Sequence, residues 1–156
     1  MNRLKEYLQD HTLFVDGAMG TYFASLSGRS SERCELASLD HPDEITAIHR
    51  AYLEAGCRAI KTNTFSVGAD LAAGEDAQAE ELLRAGCRLA LEAAEPFGAY
   101  VFADLGPAPE GGERKAAEVY LQQADWFLSE GITCFLAETL ATDEGIPELA
   151  RYLKEK

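Results

Sequence analysis

An α/β fold, a parallel sheet covered by helices, is what this sequence predicts, and three observations predict it. Short apolar runs alternate four times with longer segments of helical periodicity. Each apolar run stops at glycine or polar residues, as a strand entering a loop does. Hydrophobic residues make up 47% of the chain and charged residues 26%, enough for a real core and against disorder. The 156 residues suit one domain spanning 1–156. Two architectures fit the alternation, an open doubly wound sheet or part of a (β/α)8 barrel. No Gly-x-Gly-x-x-Gly follows any of the strands, which weakens a dinucleotide-binding version of the first.

The elements follow in order. A helix from Asn2 to Gln9 puts Leu4, Tyr7 and Leu8 on one face. Thr12–Val15 reads as the first strand, ending at Asp16-Gly17, and a Gly- and Ser-rich loop runs through Ser25 to Ser38. Pro42 suits a first helical turn, with Asp40 or His41 as cap and Asp43 and Glu44 at the positive helix end. Ile45, Ile48, Tyr52 and Leu53 recur at helical spacing, and Gly56 closes the helix. Ala59–Thr62 is the second strand. The second long helix spans about Asp76 to Glu95, with Leu82, Leu83, Leu89 and Leu91 as core residues and Gly86 as an internal weak point. Tyr100–Ala103 is the third strand, stopped by Gly106-Pro107. Lys115 to Glu130 is the next helix, Cys134–Ala137 the fourth strand, and Pro147 to Lys154 the last helix.

Composition excludes several function classes. Fourteen basic against 27 acidic residues give a formal charge of −13, a field that repels nucleic-acid phosphates and anionic membranes. No apolar run approaches the roughly 20 residues of a membrane span, and no apolar signal segment follows Met1, so a cytoplasmic protein is expected. The 4 cysteines, Cys34, Cys57, Cys87 and Cys134, form no Cys-x-x-Cys pair and read as free thiols, not zinc ligands. His49 reads as a packed or surface histidine of a crossover helix.

In parallel βα units, functional groups collect at the carboxyl ends of the strands. Those ends are polar here: Asp16 to Thr21, Thr62-Asn63-Thr64, Asp104 with Gly106-Pro107, and Glu138-Thr139. Asp16 and Glu138 would share one rim with several hydroxyls. Gly17 and Gly20 leave backbone N–H groups free to approach a phosphate or a carboxylate, while a plain tight turn explains the glycines equally well.

At these residues the chain resembles a known family. LFVDGAMGT over Leu13 to Thr21 is similar to the first strand and loop of the homocysteine S-methyltransferases. PDEITAIHRAYLEAGCRAIKTNTF over Pro42 to Phe65 resembles their next segment, and Asp104-Leu105-Gly106-Pro107 and Glu138-Thr139 match the following two signatures in order. The same domain opens cobalamin-dependent methionine synthases. The resemblance implies four βα units forming half of a (β/α)8 TIM-type barrel, which binds homocysteine for methyl transfer to its thiol to give methionine. It implies that Gly17, Ala18, Met19 and Gly20 offer N–H donors to the homocysteine carboxylate. Asp16 and Glu138 would face its ammonium, and Thr62 and Thr64 would lie near the amino-acid end.

The departures from the family limit what this stretch does alone. Family members hold zinc through cysteines after the sixth strand and in a Gly-Gly-Cys-Cys stretch near the eighth, beyond the four units read here. Catalysis by this half alone is therefore not expected. Cys57, Cys87 and Cys134 read as small core residues and Cys34 as a lone loop thiol. Lys61 stands where many relatives carry an acidic or apolar residue, and its direction is open. Asp104 reads as a solvated loop acid. Half a barrel exposes sheet edges and an apolar face, so a complementary half-barrel chain or a homo-oligomer is expected. The methyl donor, among them a cobalamin or a folate, is left open. Two other readings stand beside the enzyme: a non-catalytic binding or assembly module, and a phosphate-handling βα protein.

Overall fold

Three short strands pair in parallel in the computed structural model, which describes residues 3–108 and 114–156. They are β1 (Ala59–Lys61), β2 (Tyr100–Leu105) and β3 (Cys134–Ala137), in the order β1-β2-β3. Ile60 lies beside Val101, and Asp104 beside Leu136. The helices are α1 (Arg3–Asp10), α2 (Met19–Ser27), α3 (Ala37–Asp40), α4 (Pro42–Glu54), α5 (Val67–Ala72), α6 (Asp76–Ala94), α7 (Ala116–Ser129) and α8 (Ile146–Glu155). The Asn2 start expected for the first helix lies outside the described residues.

The sheet is one strand smaller than the sequence reading. Thr12–Val15 makes a single parallel bridge, Val15 to Ala59, supported by Phe14 O accepting from the Arg58 and Ala59 N–H groups. The reason is its place at the sheet margin: Phe14 is 65% exposed and packs under nothing that would hold an extended ladder. β3 is the opposite edge, and all four of its residues are half-buried.

The Gly- and Ser-rich stretch is also more ordered than a loop. It contains α2, a 3-10 turn over Cys34–Leu36, and α3. Helix α2 forms because Phe23 packs with Ile45 and Ile48 of α4, and Gly28 ends it in the left-handed conformation at φ 69°. Helix α5 is likewise read from structure alone; its leading residue Ser66 gives its N–H to the buried Glu35 carboxylate at 2.8 Å.

The remaining elements fall where periodicity places them, within a residue or two. Pro42 opens α4, while His41 precedes it without a side-chain cap. The main core joins Val67 and Leu71 of α5, Leu82 and Leu83 of α6, Leu105 of β2, and Phe127 of α7. Leu89 and Leu91 are only partly buried. Gly86 has a physical reason: a Cβ there would lie 3.0 Å from the Thr64 methyl and 3.1 Å from Asn63 O. Glycine lets α6 press against the loop that leaves β1. No helix of the described residues is long and apolar enough to cross a membrane.

Candidate functional site

Parallel pairing sends the carboxyl ends of all the strands to one rim, and the rim holds a cavity of about 390 Å³. Asp16, the Gly17–Thr21 segment, Lys61, Thr62, Asp104 and Glu138 all line it. The structure thus brings together every sequence-derived site residue except Thr64, which lies buried just behind the wall.

Asp16 follows the Val15 bridge, and its Oδ2 accepts the Lys61 N–H at 3.0 Å. Its other oxygen, Oδ1, is buried without a hydrogen-bond partner. Burial pushes the Asp16 carboxyl up to about 6, against the Lys61 hydrogen bond, which pulls it down. Past Asp16 the glycine loop is shorter than its sequence implies. Only Gly17 and Ala18 precede α2, so Met19, Gly20 and Thr21 form its first turn. Ala18 supplies no side-chain cap, which leaves the first-turn N–H groups for another acceptor. Tyr52 Oη donates to Ala18 O at 3.0 Å and holds this corner in place.

Lys61 ends β1 and turns into the cavity. Its Nζ donates to Glu138 Oε2 at 2.9 Å and Oε1 at 3.1 Å, joining the strand to the residue that follows β3. Burial pulls the Lys61 ammonium down, but the Glu138 bond and the charges of Asp104, Glu138 and Asp16 raise it overall above its ordinary value. Glu138 is followed by Thr139 at φ 60°, an uncommon backbone for a β-branched residue. Arg33, at φ 53° and the other non-glycine residue at positive φ among the described residues, also lines the cavity.

Asp104 is not the solvated loop acid of the sequence reading. It sits in β2 and is 5% exposed, because register beside β3 turns it inward behind Glu138. Burial, then the Glu138 charge, pushes its carboxyl up to about 7, and Oδ1 has no partner. Its backbone closes a ring with two threonines. Asp104 N–H donates to Thr62 Oγ1 at 3.0 Å, and Thr64 Oγ1 donates to Asp104 O at 2.8 Å. The two hydroxyls meet at 2.7 Å. Each has one proton, so Thr62 donates to Thr64.

Arg33, Glu35 and Asn63 line the cavity without having been assigned a site role from sequence. Arg33 pairs with Asp70 at 2.8 Å, Glu35 caps α5, and Asn63 Nδ2 donates to Cys34 O and Ser38 Oγ. The signal for Asn63 was present in Thr-Asn-Thr; Arg33 and Glu35 lay in a stretch read as loop.

The donors present do not fit a zinc-thiolate centre. Among the described residues no group of three or more His, Cys, Asp or Glu side chains is placed to hold a metal ion. Cys34 lines the cavity, but burial and then the Glu35 charge push its thiol up to about 11 against the Asn63 hydrogen bond that pulls it down, so the neutral thiol is favoured. Cys87 is buried in α6, while Cys57 and Cys134 are half-buried. His49 is fully buried with no hydrogen-bond partner, and burial lowers it to about 4: a packed, neutral histidine.

A carboxylate cluster facing an uncapped helix start, at the carboxyl rim of a parallel sheet, marks this α/β protein's candidate site, with groups complementary to a small polar ligand. The chain belongs to the homocysteine S-methyltransferase family, whose model matches residues 13–153. It is 30% identical over 155 residues to methionine synthase of Mycobacterium tuberculosis, covering 87% of this chain and 13% of that protein. It is 25% identical over 112 residues to betaine–homocysteine S-methyltransferase 1 of Pongo abelii, covering 65% of this chain and 28% of that protein. The fold is similar to part of the homocysteine methyltransferase MmuM from Escherichia coli. Its metallated form superposes with TM-score 0.75 at 23% identity, over 99% of this chain and 63% of that one. The oxidized form gives 0.79 at 22% identity. The chain thus spans only part of each of these relatives.

Proposed function

We propose that the rim cavity binds homocysteine for methyl transfer to its thiol, as the amino-acid-holding half of a homocysteine S-methyltransferase. The observation that carries this reading is the pairing of Asp16 and Glu138 with the uncapped start of α2 around one cavity. The ligand carboxylate would accept N–H groups from the Gly17–Gly20 segment, where the helix dipole favours negative charge. Its ammonium would face Asp16, whose Oδ1 lacks a partner, and Glu138. Thr62 and Thr64 act behind these groups: their hydroxyls are committed to Asp104 and hold β1 against β2.

These residues bind and orient an amino acid and shield part of it from water; none activates a thiol. In the complete family domain zinc supplies that activation, lowering the thiol pKa. The family's zinc cysteines lie after its sixth strand and near its eighth, outside the part of the domain that residues 13–153 match, and the methyl donor, among them a cobalamin or a folate, is left open. On this reading Thr12–Val15 is the first of four βα units of a half-barrel, and the half-buried β3 edge and exposed Phe14 are covered by a complementary half or a second copy.

Calorimetric titration with homocysteine and with simple phosphate esters tests the reading. Saturable homocysteine binding with no ester binding is expected. Selective ester binding would instead assign the α2 start to phosphate.

A further inference from the structure

Of the two carboxylates proposed to receive a ligand ammonium, Glu138 already holds one. The Lys61 ammonium contacts both oxygens of Glu138, and the Lys61 backbone N–H occupies Asp16 Oδ2. The Lys61 side chain is 15% exposed and that of Glu138 is 32% exposed, so the pair is drawn mostly out of water but remains reachable. Three carboxylates, Asp16, Asp104 and Glu138, surround this one cation, and two buried oxygens of the set, Asp16 Oδ1 and Asp104 Oδ1, have no partner. The cluster therefore has acceptor capacity left over, but its most accessible carboxylate is taken.

Resting on the amino-acid reading above, we propose that Lys61 is a specificity-determining residue: a built-in competitor that occupies the ammonium position of the cradle. An entering ammonium would stand beside the Lys61 ammonium on one carboxylate, and their like-charge repulsion makes its bonds to Glu138 form at the expense of the Lys61–Glu138 bonds. One charge-assisted contact replaces another, and the net gain from the ligand ammonium is small. A ligand of the same length with a carboxylate but no amino group leaves Lys61 in place and loses little. The free oxygens of Asp16 and Asp104 give the displaced ammonium acceptors within the same cluster. Its raised basicity keeps Lys61 charged throughout, so it does not leave the competition by losing a proton.

The test compares homocysteine with 4-sulfanylbutanoate, which is homocysteine without its amino group, by calorimetry on the wild-type protein and on Lys61→Met. The inference expects wild type to favour homocysteine by less than about fivefold, and Lys61→Met to bind homocysteine at least about tenfold more tightly, with no gain for the analogue. Homocysteine binding that is unchanged or weaker in Lys61→Met overturns it, because Lys61 then supports the ligand or ignores it. Should the variant fail to fold, the wild-type ratio decides alone, and a preference above about fivefold overturns the inference. The two proposals fail differently. If neither ligand binds either protein, the amino-acid reading falls and this one with it; if homocysteine binds but Lys61→Met gains nothing, only the competitor role falls.

Discussion

The Lys61 ammonium grips Glu138 at 2.9 and 3.1 Å across the face of β2, tying the end of the first paired strand to the residue after the last. This bond is structural as well as functional. Glu138→Gln leaves a half-buried ammonium without its carboxylate and is expected to lower stability by about 1–2 kcal/mol, discounted for partial exposure. Adding Lys61→Met to the same protein should recover part of that loss, since the pair is then removed together. Urea unfolding of the two single variants and the double variant reads the coupling.

The hydroxyl ring behind the cavity makes a separate prediction. Thr62→Val and Thr64→Val each break a closed cycle with the Asp104 backbone, leaving buried groups unpaired. Each should cost about 1–3 kcal/mol, and the double variant should cost less than the sum because both belong to one network. The same unfolding experiment shows it. Additive losses would mean the hydroxyls act independently.

Much of this fold is legible in sequence, and the parts that are not share a cause. The helices at Pro42, Asp76 and Ala116 carry long periodic apolar faces, and β3 a four-residue apolar run, so local pattern fixes them. Helix α2 reads MGTYFASLS, a loop by composition, and forms because Phe23 finds Ile45 and Ile48 more than twenty residues away. Thr12–Val15 differs in the other direction: its apolar run predicts a full strand, but strand pairing is non-local and the contact is limited to the Val15 bridge and its flanking hydrogen bonds. In the site, Asp16 and Glu138 are readable because they end apolar runs. The directions of Lys61 and Asp104 are not, since strand register decides which face each side chain takes.

The buried carboxyls give stability a pH dependence of definite sign. Asp16 and Asp104 rise from 3.8 to about 6 and about 7, so the folded protein holds their protons more tightly than the unfolded chain. Their contribution is fully present below pH 4 and is lost as pH rises through 6 and 7. His49, lowered from 6.5 to about 4, works the opposite way over its own interval. Asp104→Asn isolates one term: its stability relative to wild type should increase from pH 4 to pH 8, by about 1.4 kcal/mol for each unit of the Asp104 shift at most. Thermal unfolding of both proteins across that range measures it. A constant difference would place Asp104 in solvent.

Two glycines separate binding from stability. A Cβ on Gly106 would lie 2.3 Å from Phe65 O, a backbone atom, so Gly106→Ala should destabilise by about 1–3 kcal/mol. A Cβ on Gly17 meets Tyr52 Oη at 2.9 Å, the movable end of a side chain that also holds Ala18 O. Gly17→Ala should cost under about 1 kcal/mol in stability while weakening homocysteine binding several-fold, because the corner that presents the α2 N–H groups shifts. Parallel denaturation and binding measurements distinguish the two variants.

The central claim is that Asp16 and the start of α2 together hold an amino acid, and calorimetric titration of homocysteine into wild type and Asp16→Asn tests it most directly. Saturable binding to wild type, weakened about threefold to fivefold in a folded Asp16→Asn, is the predicted result. Equal affinity in the two proteins, or no binding to wild type, would contradict it.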